Sequence, residues 1–325
     1  MNRLRKCLAT LMALAMLILS VQLVGAEDGE RVVVRVASLK GPSTMGLVGL
    51  MQRDNTANAY SFQVSGTPDA IVPALAKGDI DIALIPANLS SVLYHNTDGA
   101  ISVAAVNTLG VLYVLEKGDR VQNIMDLAGT TLYSTGKGTT PEYALNTVLQ
   151  LNGIDPERDL KIVYLSEATE VLAAILVGQA ELAMLPQPFA TAALMQADGL
   201  RTALSLTDEW AKVSGTQLIT NVVVVRNAFV DEHPGAFRAF MAEYAESTAY
   251  VNANPAEAAV MIEDLGIAQA PVAEVAIPAC NIVMITGDEM KKDVEGYLAA
   301  LYAQNPQSIG GAMPDDAFYR TEFPE

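Results

Sequence analysis

Apolar positions along the chain fall into short β-branched runs separated by stretches of helical length, and this alternation occurs twice. The run RVVVRVAS (31–38) predicts a strand. Lys40-Gly41-Pro42-Ser43-Thr44 follows as a loop, Met45 to Gln52 as a helix and Tyr60 to Val64 as a second strand. Thr67-Pro68-Asp69 carries the signals of a helix start: a capping hydroxyl, a proline whose missing N–H costs nothing in the first turn, and an acid at the positive helix end. That helix is expected to stop at Gly78, before a buried strand over Ile80–Ile85 and another over Ile101–Val106. Strands alternating with helices predict a parallel or mixed sheet of the α/β class.

The second half follows the same plan. Thr131 to Thr135 predicts a strand, Lys137-Gly138-Thr139-Thr140 a loop, and Thr140-Pro141-Glu142 a helix ending near Asn152-Gly153. Ile162 to Leu165 predicts a strand, Ser166 a cap for a helix that stops at Gly178, and Leu182 to Leu185 a further strand. The segments AKGDIDIALIPANLSSVL (76–93) and LVGQAELAMLPQPFATAA (176–193) match at an offset of one hundred positions. Gly78 meets Gly178, Asp81 meets Glu181, Ala83 meets Ala183 and Pro86 meets Pro186. Helix, glycine stop, strand and post-strand proline keep one register, so two similar lobes are expected, with mixed β-sheets flanked by helices.

Beyond this, NVVVVR (221–226) predicts a strand, and helices are expected over 234–251, 255–265, 271–279 and 288–303. The plausible crossings between lobes are 109–118 and 216–226, which divides the chain into 31–115 with 222–325 as one lobe and 116–221 as the other. Two crossings make a hinge with a cleft between the lobes, and ligands of α/β folds sit outside the carboxyl ends of the strands.

The first residues read as an address. Arg3, Arg5 and Lys6 precede an apolar run from Leu8 to Val24, and Val24-Gly25-Ala26 offers small residues for cleavage, so 1–26 is expected to be a signal peptide. An uncleaved anchor helix is the alternative, since the run approaches the ~17–25 residues of a span. Cys7 would leave with the signal, Cys280 would remain alone, and Ala26 stands where a lipobox would need Cys. The expected compartment is periplasmic or extracytoplasmic.

Composition narrows the function classes. The chain of 325 residues is 51% apolar and 18% charged, which excludes a disordered polypeptide. Its formal charge is −17, or −20 without residues 1–26, and argues against nucleic acid or an anionic membrane surface as partner. Two cysteines and two histidines exclude a disulfide scaffold and leave little for a metal site or a histidine triad. Gly136-Lys137-Gly138-Thr139-Thr140 lacks the spacing of a phosphate loop. Asp79 and Asp81 read as a solvated edge, and His95, His233 and Cys280 as structural.

The loops KGPSTMG, IPANL, GKGTTPEYAL and LPQPFAT, with the GDIDIA segment, resemble those of the ABC-transporter substrate-binding proteins of the nitrate, sulfonate, taurine and thiamine-precursor group. The resemblance covers residues 31 to 320 and implies a type II periplasmic-binding fold that closes on one small solute and delivers it to an ABC permease. It implies no enzymatic activity, no cofactor, no nucleic-acid partner and a monomer. By position it places ligand contacts at Thr44, Met45, Asn88, Thr139, Thr140, Gln187 and Pro188, with the crossing residues Thr108 and Asn221 facing the cleft.

The residue types suit binding. Thr44 and Thr140 stand where helix ends present unpaired N–H groups to polar or anionic ligands. Asn88 and Gln187 can each donate and accept, and Met45 and Phe189 can supply apolar wall. The alternative for each is a cap or a core residue. Tyr113, Tyr133, Tyr143 and Phe189 could stack on a heteroaromatic ring, and the absence of arginine from the loops disfavours a small dianion. Lys40 and Lys137 could attract an anion or stay solvated. Two other functions share these features: a fold-related enzyme of the pyrimidine-synthase or dehydratase type, against which the signal peptide and lone Cys280 count, and a sensory subunit that presents ligand to a receptor.

Overall fold

The computed structural model describes residues 31–323, so the expected signal peptide at 1–26 lies outside the described residues. In the first half, β1 (Val33–Leu39), β2 (Ala59–Ser65), β3 (Ile82–Pro86) and β4 (Ile101–Leu109) alternate with helices α1 (Pro42–Met45), α2 (Val48–Met51), α3 (Ile71–Lys77) and α4 (Ala87–Asn96). The second half runs β5 (Leu112–Lys117), β6 (Thr131–Ser134), α5 (Thr140–Leu151), β7 (Lys161–Tyr164), α6 (Ala168–Leu176), β8 (Leu182–Pro186), α7 (Phe189–Gln196), β9 (Leu200–Ser205) and α8 (Leu206–Ser214). Then come β10 (Ile219–Arg226), α9 (Asn227–Glu232), α10 (Pro234–Ala253), α11 (Pro255–Asp264), α12 (Ala270–Ala276), β11 (Ile282–Ile285) and α13 (Gly287–Gln304).

The strands form two mixed sheets flanked by helices, ordered β11-β4-β10-β3-β1-β2 and β7-β6-β8-β5-β9. In the first, β1 lies parallel to β2 and β3, while β10 is antiparallel to β3 and β4. In the second, β6 lies parallel to β7 and β8, and β5 is antiparallel to β8 and β9. The triplet β2-β1-β3 therefore corresponds to β7-β6-β8. Central strands such as β3 and β10 are apolar on both faces, as burial on both sides requires. The repeat is visible at the helix stops, where Gly78 (φ 85°) and Gly178 (φ 74°) take the left-handed conformation that favours glycine.

Among the departures from the sequence reading, three concern local contacts. The helix expected over 45–52 is two short helices, because Ser247 of α10 enters the ladder: its hydroxyl accepts from Leu50 N (3.0 Å) and donates to Gly46 O (2.7 Å). Ser166 does not cap α6, since Glu167 holds the cap position and Ser166 N donates to Glu170 Oε2 (2.9 Å). Asp81, expected at a solvated edge, is 1% exposed. It accepts from Arg35 N (3.0 Å), Nε (2.8 Å) and Nη2 (2.5 Å), and from Arg226 Nη2 (3.0 Å).

Candidate functional site

A cleft of about 520 Å³ lies between the carboxyl ends of the two sheets. The first half lines it with Leu39, Lys40, Pro42, the loop 66–69, Pro86 and Leu89. The second half supplies Thr135 to Pro141, Leu165 to Thr169, Pro186, Gln187 and Phe189, and Val111, Thr220 and Asn221 complete the wall. The start of α4 and the first turns of α5, α6 and α7 border the space, so helix N-termini with their unpaired N–H groups and positive dipole ends converge on it. Its charged residues are Lys40, Lys137, Asp69 and Glu167, and no arginine lines it among the described residues.

The opposite walls meet at two points. A Cβ on Gly41 would lie 4.0 Å from the Gln187 carbonyl, and one on Gly66 would lie 2.8 Å from Glu167 Oε1. Glycine at 41 follows from its φ of 132°, a conformation L side chains rarely adopt, whereas a side chain at 66 would press on the Glu167 carboxylate across the cleft.

Four of the nine expected ligand residues line the cleft: Thr139, Thr140, Gln187 and Asn221. Thr139 bonds its hydroxyl to Gly136 O (2.7 Å), which fixes the loop ahead of α5. Gln187 Oε1 accepts from Thr191 N (3.2 Å) and Oγ1 (2.8 Å), so its amide NH2 is the end left to donate. Asn221 Nδ2 donates to Ser43 Oγ (2.6 Å). The hydroxyl of Thr140 joins the two halves, lying 3.4 Å from Asn88 Oδ1, 3.2 Å from Thr220 O and 3.4 Å from the Tyr297 hydroxyl on α13. Burial raises the Tyr297 phenol above its ordinary range against the opposing effect of the Thr140 bond, so the phenol stays protonated.

The other five are not part of the wall. Thr44 is fully buried, with its hydroxyl on Leu39 O (2.7 Å) and Ser38 Oγ (2.7 Å). Met45 is core, with its sulfur 3.9 Å from Cys280 Sγ. Asn88 is buried and committed at both ends, donating to Ser308 O (3.1 Å) and accepting from Thr140. Thr108 is buried in β4, and Pro188 is buried after the cis Gln187–Pro188 peptide. Of the four aromatic residues considered for stacking, Phe189 alone reaches the cleft. Tyr113 turns to Ala279 O (3.4 Å), while Tyr133 and Tyr143 line other hollows.

The residues missed from sequence are the loops after β2 and β7. Thr67, Pro68 and Asp69 line the cleft from one side, and Glu167, Ala168 and Thr169 line it from the other. Their numbers differ by the same one hundred positions as the repeat, so the offset itself was the signal that could have found them.

This architecture is the type II periplasmic-binding fold. The NMT1-like family model matches residues 61–266, and the chain belongs to that family. It is similar to the structure of an ABC transporter from Parabacteroides distasonis, at 25% identity over 89% of this chain and 98% of that one, with a TM-score of 0.74. The periplasmic aliphatic sulphonate binding protein SsuA from Escherichia coli shares the fold at 16% identity and a TM-score of 0.69, over 86% of this chain and 90% of that one. The periplasmic nitrate-binding protein NrtA from Synechocystis PCC 6803 does so at 12% identity and 0.62, over 85% of this chain and 82% of that one. The latter two are periplasmic binding proteins, one for aliphatic sulphonate and one for nitrate. No curated protein matches the chain. No helix among the described residues is long and apolar enough to cross a membrane.

Proposed function

We propose that this protein is an extracytoplasmic solute receptor, secreted by a cleaved signal peptide at 1–26, which captures a small organic solute in the cleft and hands it to an ABC permease. The observation that carries the reading is the cleft itself, walled by strand ends and helix N-termini from both halves of a duplicated chain. In this reading the lobe boundaries shift from the expected 115/116 and 221/222, so that β5 stays whole with the second sheet and β10 whole with the first: 31–111 with 219–325 form one lobe and 112–218 the other, and the two close on the solute.

The solute that fits such a wall has one anionic or strongly polar group and an apolar part. The first turns of α5 and α7 accept the polar group, helped by Lys40 and Lys137 at the rim. Thr139, Thr140, Gln187 and Asn221 fix its orientation, and Leu39, Leu89 and Phe189 cover the apolar part. A small dianion fits less well without a guanidinium fork.

The test is the melting temperature of residues 27–325 against nitrate, bicarbonate, taurine, alkanesulfonates, pyrimidines, thiamine, riboflavin and amino acids. A solute at ~100 times its Kd adds about 2.7 kcal/mol, a rise of several degrees for a chain of this size. One solute that gives this rise and is recovered unchanged supports the reading. A solute that is chemically converted, or no response to any of them, refutes it.

A further inference from the structure

We infer that the solute held in the cleft is uncharged and carries an amide group on an aliphatic body. This rests on the receptor reading above and decides between the anionic and the neutral polar group which that reading admits. Two side chains of the wall carry it. Gln187 and Asn221 line the cleft, are 5% and 7% exposed, and each keep one polar atom without a partner. Both are anchored on the crossing between the sheets. Gln187 N donates to Val111 O (3.0 Å), and the hydroxyl of Thr220, the neighbour of Asn221, donates to Leu109 O (2.7 Å).

The free atoms are of opposite kind. Gln187 Oε1 accepts from Thr191 N, which can only donate, so the amide orientation is fixed and its NH2 is free to donate. Asn221 gives its Nδ2 to Ser43 Oγ, so its Oδ1 is free to accept. Neither free atom is sealed in the core, so a ligand in the cleft can reach both. Polar groups left unpaired beside an apolar wall cost free energy that a matching ligand recovers. An amide matches with both its ends: the carbonyl accepts from Gln187 and the N–H donates to Asn221. A carboxylate or sulfonate only accepts, and would set lone pairs against Asn221 Oδ1. An ammonium only donates, and would set N–H against the Gln187 NH2.

The charges around the cleft agree with a neutral group. Lys40 and Lys137 at the rim are matched by Asp69 and Glu167. Two of the helix ends are also balanced from within. Glu142 in the first turn of α5 accepts from Gly138 N (2.5 Å), and Glu170 in the first turn of α6 accepts from Ser166 N (2.9 Å). Both positive dipole ends therefore already hold a carboxylate, which repels an incoming anion and leaves an amide unaffected. The rest of the wall is largely Leu39, Leu89, Leu165, Phe189 and prolines, which suits an aliphatic body.

The experiment is calorimetric titration of the full chain at neutral pH with pentanamide, pentanoate, pentanesulfonate, pentylammonium and 1-pentanol. The expected result is one saturable pentanamide site, with the other compounds roughly tenfold weaker or more, the scale of one mismatched hydrogen bond. Gln187→Glu keeps an oxygen for Thr191 and replaces only the NH2, while Asn221→Leu removes the acceptor at similar shape. Each should weaken pentanamide by roughly tenfold or more, and Gln187→Glu should do so without lowering the melting temperature, which separates binding from a structural role. Pentanoate or pentanesulfonate bound as tightly as the amide would overturn the inference and leave the receptor reading intact, and so would equal binding of the ammonium or the alcohol. Equal binding of pentanamide by both variants, or no binding of it at all, would also overturn the inference, and the receptor reading is then decided by the wider panel of solutes.

Discussion

Replacing Asp81 by Asn tests the connection that ties three strands of the first sheet. The carboxylate is shared by Arg35 on β1 and Arg226 at the end of β10, and the Asp81 backbone adds bonds to Arg35 O (2.9 Å) and from Arg226 N (3.0 Å). Asn keeps the size and leaves no cavity, but it removes the charge and points an NH2 at a guanidinium. Removing one partner of a buried ion pair costs about 3–5 kcal/mol. The arginine side chains are 40% and 22% exposed, so water recovers part of their solvation and the low end applies, about 3 kcal/mol. Urea denaturation at neutral pH should show a lower midpoint at unchanged slope.

The same carboxylate fixes the direction of a pH effect. Burial pushes the Asp81 pKa up, but the bonds from the Arg35 side chain and backbone and from Arg226 outweigh it and hold the group below its ordinary value. A depressed folded pKa means that the stabilisation is complete above the unfolded value, ~3.9, and is lost as pH falls through the folded value. Asp81→Asn should therefore flatten the acid side of the stability curve. A loss of less than about 1 kcal/mol, the scale of an exposed pair, or an unchanged acid limb would refute the reasoning.

Thr140→Val keeps the side-chain shape but takes the hydroxyl from between Asn88, Thr220 and Tyr297. Because those contacts are 3.2–3.4 Å long, the expected cost is about 1 kcal/mol in thermal melting. Solute affinity should also fall several-fold, and unchanged affinity would remove Thr140 from the proposed binding set. Cys280 is 0% exposed and burial raises its thiol well above the ordinary range, so iodoacetamide should not modify it until the protein is unfolded in urea. Rapid labelling of the native chain would show that this core is open.

The duplicated plan was legible because helix stops and buried strands leave local marks: Gly78 and Gly178, IDIALI and its counterpart, the post-strand prolines. The class of the fold followed from those marks. The stretch over 109–118 reads in the sequence only as a crossing, although LYVLEK (112–117) forms β5, an interior strand of the second sheet between β8 and β9. Its pattern is that of an ordinary strand, and its place beside β8 depends on pairing with distant residues. The helices α4, α7 and α8 have no counterpart in the sequence reading: α4 and α7 begin directly behind the post-strand prolines, with Pro86 and Pro188 at their N-caps, in stretches that read as loops, and α8 starts from Ser205 at the end of a strand. Site residues were the least legible. Asn88 and Gln187 look alike in sequence, but the partners that turn one inward and leave the other on the wall, Ser308 and Thr191, lie on different elements.

The cleft follows from how the crossings are placed. Only Gly110 and Val111 separate β4 from β5, a reach of roughly 11 Å at most between Leu109 and Leu112. Leu112 pairs with Pro186 at the carboxyl end of β8, and Asn221 at the start of β10 pairs with Pro86 at the carboxyl end of β3. Both crossings therefore pass where the parallel strands of both sheets end, and Val111, Thr220 and Asn221 become cleft wall for that reason. The close passage also dictates glycine at 110. A Cβ there would overlap Thr207 Oγ1 and lie 3.0 Å from Leu218 Cδ2 and 3.1 Å from Thr207 Cβ. The Gly110 carbonyl is meanwhile held by Asn281 Nδ2 (2.5 Å), so the backbone is poorly placed to retreat. Gly110→Ala should destabilise the protein by about 1–3 kcal/mol, the range of overpacking, and Thr207→Ala should recover part of that loss by removing the nearest atom while leaving the Cβ. Equal urea midpoints for Gly110→Ala with and without Thr207→Ala would mean that the crossing yields in some other way, and that its short span does not fix the distance between the sheets.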